Sequence, residues 1–440
     1  MIRSRPRAVR RVLGAVLATF ALTVSAACSS GGGSHTAGSG GSGSGSGGAA
    51  KGVTITLWTR AATQSQTQAL VDAYNSSHAN HVVITSYPND QYPAKIASAA
   101  GARSLPDIFT SDVVFAPNYA AQGLWTDVSS RFASLSFKDK VAPSFIKAAT
   151  NGGKLFAVPH DLDLSVMYYN KTLYKQAGLD PTKPPTTLAE YAAQARAVAK
   201  LGGKVHGTYE GGNCGGCIEF TTWPSIWADG GQVMNADGTT SSIDSPQATA
   251  VYQIYRSLFA DGTMAPGAKQ EDGTTWLSAL QAGEIGIAPG PSSWLNLIEQ
   301  KGVDIGVAPI PGVNGGTSTF VGGDVAGISA TSKNADAAWD FLSWCLDDQA
   351  QVQVVAKLHE IIARTDLAQN QYAVKDPNVV TINQVLAKGQ TPYALNFNAT
   401  YNDPQSPWTT TLRGAFFGPS LAGALSSGQT AITASLKQQG

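Results

Sequence analysis

Between Ser29 and Ala50 the chain is almost entirely glycine, serine and alanine, and this segment constrains everything on either side of it. It holds too little apolar surface to offset the entropy lost on ordering, so it is read as a flexible tether with a root-mean-square reach of roughly 25 Å. Its glycines do not signal a phosphate loop, because no strand leads in and no helix leads out. The tether divides the chain into a short leader and a body of about 390 residues starting near Lys51. A body of that length exceeds one ordinary core and suits two domains or lobes.

The leader reads as an export signal. Met1–Arg11 carries five arginines and no acid, and Val12–Ala26 is an apolar run too short to span a membrane comfortably. Ala26-Ala27-Cys28 then places small residues before a cysteine, which resembles a lipoprotein signal in which Cys28 becomes the acylated first residue. Ser25 departs from that pattern, where a large aliphatic residue is usual, and an ordinary signal peptide with an incidental cysteine is the alternative. Residues 1–28 are therefore assigned to the signal and 29–50 to the tether. The expected location is extracytoplasmic, on the cell membrane of a Gram-positive cell.

Charge narrows the function of the body. Without the five leader arginines, 25 basic residues face 30 acidic ones, a net of −5. A mildly acidic body gives no support for nucleic-acid binding. No later stretch is long and apolar enough to cross a bilayer. Of the four cysteines, Cys214 and Cys217 stand two residues apart in a glycine-rich run and are expected to form a local disulfide outside the cytoplasm. A redox pair is the sharper alternative, but such pairs open helices, and four glycines in seven residues argue against a helix there. A metal site would need a second pair or a histidine cluster nearby; no metal and no cofactor are expected. Cys345, inside the apolar pattern Trp339–Leu346, reads as a buried helix residue.

The body alternates strands and helices. Val53, Ile55 and Leu57 alternate with Thr54 and Thr56, the pattern of a half-buried strand. Gln64–Ser77 has helical spacing, and His81–Ser86 is a second β-rich run, so the two strands should pair in parallel through a right-handed crossover. Thr187-Leu188-Ala189-Glu190 is a capping box for a helix running through Ala199, stopped by Gly202-Gly203. Asp336–Leu346 and Gln349–Leu358 read as further helices. The fold class is α/β.

Several segments, in order and with similar spacing, carry a family resemblance. The firmest is Gly153-Lys154-Leu155-Phe156-Ala157-Val158-Pro159, followed by Met167-Tyr168-Tyr169-Asn170-Lys171 and Ala177-Gly178-Leu179. Leu105-Pro106-Asp107-Ile108-Phe109, Thr222-Trp223-Pro224 through Gly231, Val321-Gly322-Gly323-Asp324 and Phe341-Leu342 add to it. The chain resembles extracellular solute-binding protein family 1, whose best-known member binds maltodextrin. The resemblance implies a type II periplasmic-binding-protein fold: two α/β lobes, a hinge and an interlobe ligand cleft. Residues 53–161 and 326–366 would form the N-terminal lobe, and 165–320 and 372–440 the C-terminal lobe. The hinge would lie near Leu162, Val321 and the segment after Asp366. The implied partners are a carbohydrate ligand, the permease subunits of an ABC importer and the membrane reached through the lipid anchor, with the receptor itself a monomer.

Sugar recognition needs aromatic faces for pyranose C–H groups and ionised or amide partners for hydroxyls. Carried over position by position, the resemblance implies a ligand site made of Trp58, Arg60, Ser111, Asp112, Asp163, Phe220, Trp294, Gly323, Asp324 and Trp408. Each has a plainer reading: Trp58 and Trp408 as packing, Arg60 as a solvated charge, Asp112 as a helix cap, Asp163 as a surface acid. Asp163 stands where the maltodextrin binder has a glutamate, Phe220 where it has a stacking tyrosine, and Ser292 where it has a second tryptophan beside Trp294. Val114 and Phe115 replace a charged pair. These departures leave a mono- or short oligosaccharide as the expected class. Asp163 is expected to meet hydroxyls, and Trp294 a C–H face. The alternatives are a receptor for another polar solute, such as a glycerol phosphodiester, and a carbohydrate-active enzyme with a carboxylate pair. No hydrolase motif supports the last of these.

Overall fold

The computed structural model describes residues 52–89 and 91–438, so the signal, Cys28 and the tether lie outside the described residues. The body opens with β1 (Thr54–Arg60), α1 (Gln64–Asn75) and β2 (His81–Tyr87). β1 and β2 pair in parallel from Thr54 opposite His81 to Arg60 opposite Tyr87. The alternation holds within the strand, where Ile55 and Leu57 are fully buried while Thr54 and Thr56 face solvent, but Val53 precedes the strand and is exposed. α2 (Tyr92–Gly101) and β3 (Ile108–Asp112) follow, and β3 pairs with β1 on its other side.

Two long strands then organise the molecule. β4 (Val158–Asn170) has 13 residues and is buried along most of its length. α3 (Leu188–Ala199), α4 (Gly215–Ala228) and α5 (Pro246–Ala260) come next. β5 (Ile287–Pro291), β6 (Ile305–Ala308) and the 12-residue β7 (Thr317–Ile328) complete the main sheet. Its order is β2-β1-β3-β7-β4-β5, with β6 also on β4. β7 meets β3 through residues 324–328 and β4 through 321–326, both antiparallel. β4 instead turns to β5 and β6 from Ser165 onward. The two strands therefore change partners between residues 161–165 and 321–324, where a register shift falls between Asp324 and Val325.

Side chains on either side of this crossing form local aromatic neighbourhoods within one continuous buried core. Tyr74 packs edge-on against Phe341 on α6 (Ala335–Cys345), and Phe109 stacks on Trp125. On the other side Trp223 meets Tyr401 and Trp408, the last on α7 (Pro407–Phe417). The terminal helix α8 (Leu421–Leu436) closes that neighbourhood. The chain makes a further passage after residue 363. The Ala363 carbonyl accepts from the Ala142 amide, whereas Asn378 Oδ1 accepts from the Val307 amide at 3.1 Å.

Local signals explain the helix ends. Thr187 Oγ1 accepts the Glu190 amide at 3.0 Å, while Glu190 reaches back to the Thr186 amide at 2.7 Å, one residue earlier than the simple capping box expects. The run 349–358 is helical but irregular. A wide turn over Gln351–Val355 and a tight one over Ala356–Leu358 interrupt it, and His359 ends it with φ +63°. Cys345 is buried and unpaired. One expectation is overturned: the glycine-rich cysteine run does open a helix. Cys214 is the N-cap of α4, and its sulfur accepts the Cys217 amide. The glycines serve close packing, because a Cβ on Gly215 would lie 2.6 Å from the Tyr401 carbonyl oxygen. Among the described residues no helix is long and apolar enough to cross a membrane.

Candidate ligand cleft

Where the long strands exchange partners, a cavity of about 500 Å³ opens between the two neighbourhoods. That volume lies within the usual range for small-molecule sites. One wall is polar. Arg60 ends β1, and its guanidinium is held by two acids, Asp324 through Nε at 2.7 Å and through Nη2, and Asp112 through Nη1 at 3.3 Å. Asp324 is fully buried and also accepts from Thr63 Oγ1 at 3.0 Å and Thr110 Oγ1 at 3.2 Å. It therefore fixes Arg60 from beneath and presents no free oxygen to the cavity. Asp112 lines the cavity and caps the next turn by accepting the Val114 amide. Burial pushes its carboxyl up, and Arg60 opposes this.

The crossing itself supplies the floor. Gly323 has φ +110°, and a Cβ there would lie 2.2 Å from the Asp161 carbonyl oxygen, so no other residue fits without strain. Asp161 and Asp163 flank this point on β4 and line the cavity. Asp163 has a structural role that its sequence context did not reveal. Its Oδ1 accepts from Ser292 Oγ at 2.8 Å and the Ser293 amide at 3.0 Å, and its Oδ2 accepts from Ser293 Oγ at 2.9 Å. It thus anchors the turn that presents Trp294. Ser292, in place of an aromatic, also accepts the Leu164 amide.

Aromatic side chains share the lining. Phe220 on α4, Trp276 and Trp294 line the cavity, with Trp276 and Trp294 edge to face at 5.4 Å between centroids. The α4 N-terminus carries the disulfide between Cys214 and Cys217, with 5.2 Å between their Cα atoms, onto the rim. Glu219 follows on the same helix, 3% exposed, with Oε2 lacking any hydrogen-bond partner. Burial and the charge of Asp112 push it well above the usual carboxylate range.

Of the residues named from sequence, Arg60, Asp112, Asp163, Phe220, Trp294 and Gly323 line the cavity. Three do not. Trp58 lies edge-on to Tyr87 with the Lys95 ammonium over its ring at 5.3 Å, on the α2 side of the sheet. Ser111 is buried and donates to the Asp112 carbonyl oxygen. Trp408 is fully buried in the aromatic core, its Nε1 donating to the Gly215 carbonyl oxygen at 3.1 Å. A side chain sealed in that way has no face left for a ligand. Asp324 sits behind Arg60 as described. Gln66, Asp161, Glu219, Trp276 and Glu360 line the cavity and were not named from sequence. Glu219 is adjacent to Phe220, which was the one available signal. Among the described residues no group of acids, histidines and cysteines converges closely enough to hold a metal ion.

Comparisons with known proteins agree with this geometry. The chain is 26% identical over 255 residues to the putative binding protein BAB2_0491 of Brucella abortus (strain 2308), covering 57% of this chain and 61% of the relative. It is 23% identical over 221 residues to the sn-glycerol-3-phosphate-binding periplasmic protein UgpB of Agrobacterium fabrum, covering 48% of each. The chain thus spans less than two thirds of the length of these curated relatives. The crystal structure of the cyclic alpha-maltosyl-1,6-maltose binding protein from Arthrobacter globiformis superposes with a TM-score of 0.74 at 23% identity, over 88% of this chain and 99% of that one. That likeness shows the fold: the type II periplasmic-binding arrangement of two α/β lobes with a hinge and a cleft between them. The model of the bacterial extracellular solute-binding proteins matches residues 69–381, most of the body, and the chain belongs to that family.

Proposed function

We propose that this protein is the carbohydrate receptor of an ABC importer, binding a mono- or short oligosaccharide between its lobes and delivering it unchanged to a membrane permease. The observation that carries the reading is the mixed lining of the cleft. Phe220, Trp276 and Trp294 line the same cavity as Arg60, Asp112 and Asp163. Flat apolar rings beside strong acceptors suit a pyranose, whose faces are C–H and whose edge is hydroxyl. Residues 53–161 with 326–366 and 165–320 with 372–440 are taken as the lobes, and the shared strands as the hinge about which they close. Lipid on Cys28 and the following tether would hold the receptor at the extracytoplasmic face of the membrane.

A phosphodiester receptor is the second reading, favoured by the UgpB relatives. The cleft chemistry opposes it. Among the described residues Arg60 is the sole cation lining the cavity, and Asp324 and Asp112 already neutralise it. Calorimetry of the purified protein against neutral saccharides and glycerol phosphodiesters, followed by analysis of the recovered ligand, separates the readings. Saccharide bound and recovered intact is expected. Turnover would make the protein an enzyme, and binding of phosphodiesters alone would establish the second reading.

A further inference from the structure

We propose that the bridge between Cys214 and Cys217 is a thiol–disulfide exchange site set in the lining of the cleft, and that its substrate is a low-molecular-weight thiol. This holds whichever solute the cleft binds. Exchangeable Cys-x-x-Cys pairs sit at helix N-termini, where free amides and the helix dipole favour a thiolate. Four glycines in seven residues argue against a helix here, yet α4 begins directly after Cys214 and runs for 14 residues. Cys214 is its N-cap, and Cys214 Sγ accepts the Cys217 amide at 3.1 Å. Both cysteines are partly exposed, and both line the cavity. Gly273 backs them with φ +100°, and a Cβ there would lie 3.2 Å from Cys217 Sγ and 3.6 Å from Cys214 Sγ, so a larger residue would press on the bridge. Cys345, by contrast, is buried and unpaired.

As a staple the bridge is redundant. It closes a loop with only two residues between the cysteines, and short loops give a disulfide its smallest entropic effect. The segment is held without it. The Gly212 amide donates to the Ala268 carbonyl oxygen at 2.8 Å, the Asn213 amide to that of Glu271 at 2.9 Å, and the Ile218 amide to that of Cys214 at 3.1 Å. Arg413 on α7 donates to Asn213 Oδ1 at 2.8 Å, and Trp408 Nε1 donates to the Gly215 carbonyl oxygen at 3.1 Å. Opening the sulfur–sulfur bond therefore leaves the loop and the first turn of α4 in place. A bond that the fold does not need, exposed at a helix N-terminus, is placed for exchange.

The geometry also orders the step. An incoming thiolate attacks Cys217 Sγ, a new sulfur–sulfur bond forms there, and the bond to Cys214 breaks. Cys214 leaves as the thiolate because its sulfur already holds the Cys217 amide, and the better-stabilised thiolate leaves faster. It then takes a proton from water. A second thiol can reduce the mixed disulfide, giving two cysteine thiols and one small-molecule disulfide, or Cys214 can attack Cys217 and expel the first. While the adduct lasts, it stands on a sulfur that lines the cavity, three residues before Phe220, and takes up space a ligand would use.

The test holds the purified protein under native conditions in reduced glutathione, quenches samples with a maleimide at intervals and maps each cysteine by mass spectrometry, with circular dichroism on the same samples. Cys214 and Cys217 should become labelled at least about tenfold faster than Cys345, with the far-ultraviolet spectrum unchanged. Cys345 reports opening of the fold, because its thiol is buried. In Cys214→Ser, oxidised glutathione should leave a mixed disulfide on Cys217 of the folded protein, since the sulfur that would expel it is gone. A pair that stays closed, or that opens only as Cys345 is labelled, would overturn the proposal and leave the bridge a plain staple. A folded Cys214→Ser protein whose Cys217 takes up no glutathione would overturn it too. If that variant does not fold, the time course of the parent protein decides alone.

Discussion

Glu210 offers a quantitative test of how this fold tolerates buried acid next to the cleft. It is fully buried behind the disulfide loop, with Oε1 accepting from Thr221 Oγ1 at 2.8 Å and Oε2 accepting from the Gly211 amide at 3.3 Å. Burial pushes its carboxyl from the ordinary 4.5 up to about 8, against the pull of those two hydrogen bonds. The folded state then keeps a proton that the unfolded chain has released. Its stabilising contribution is complete below the unfolded value, falls as pH rises through the window from 4.5 to about 8, and is gone above it. Each pH unit inside the window removes up to about 1.4 kcal/mol, so the whole window is worth on the order of 3–5 kcal/mol. Glu210→Gln keeps an acceptor and cannot titrate. For a chain of this size, unfolding entropy near 2.1 cal/mol/K per residue turns about 3 kcal/mol into roughly 4 °C. Thermal unfolding of both proteins without ligand, from pH 5 to pH 8, should show the variant gaining on the parent by about that amount. The other buried acids titrate in both proteins and cancel in the difference. Parallel curves would show that Glu210 is ionised in the fold and that the reasoning is wrong.

Gly323→Ala should destabilise the protein by at least about 1–3 kcal/mol, since it combines a left-handed φ with a Cβ 2.2 Å from a carbonyl oxygen; an unchanged melting temperature would show that the crossing is loose. Trp294→Ala should weaken binding of the cognate saccharide by about tenfold to a hundredfold, on the order of 1.4–2.8 kcal/mol, measured by calorimetry; unchanged affinity would remove the ring from the site. Asp163→Asn keeps Oδ1 as the acceptor for the Ser293 turn and should lower affinity with little loss of stability, read by calorimetry and melting together. Cys28→Ala should release the protein from the membrane fraction or block its processing, and retention with cleavage elsewhere would refute the anchor.

The parts of the molecule visible in its sequence are those written in short-range code. The alternation at Ile55 and Leu57 and the helical spacing after Gln64 specify a strand and a helix from local periodicity, and their parallel pairing follows from chain geometry. Thr187 caps a helix through its own side chain. The cleft is different, because its acids come from separate segments. Asp161, Glu219 and Glu360 each look like an ordinary solvated charge until the fold gathers them. Trp58 and Trp408 fail for the complementary reason. A tryptophan at a strand end or a helix start carries no mark that tells a stacking face from a packed one, and Tyr87 or the Trp223 cluster claims it only in three dimensions. The glycines around Cys214 misled because glycine density registers flexibility, whereas Gly215 is small so that a helix can approach the Tyr401 backbone.

The pairing of Arg60 with Asp324 joins residues 264 apart in sequence. A nascent chain emerging in order holds Arg60 long before its counter-ion exists, and β1 and β3 wait equally long for β7. The first neighbourhood of the fold therefore cannot finish assembling until β7 has been made. Loop closure over such distances is slow. That delay keeps the polypeptide threadable, a property that suits a chain whose leader reads as an address for passage through a membrane pore before it folds.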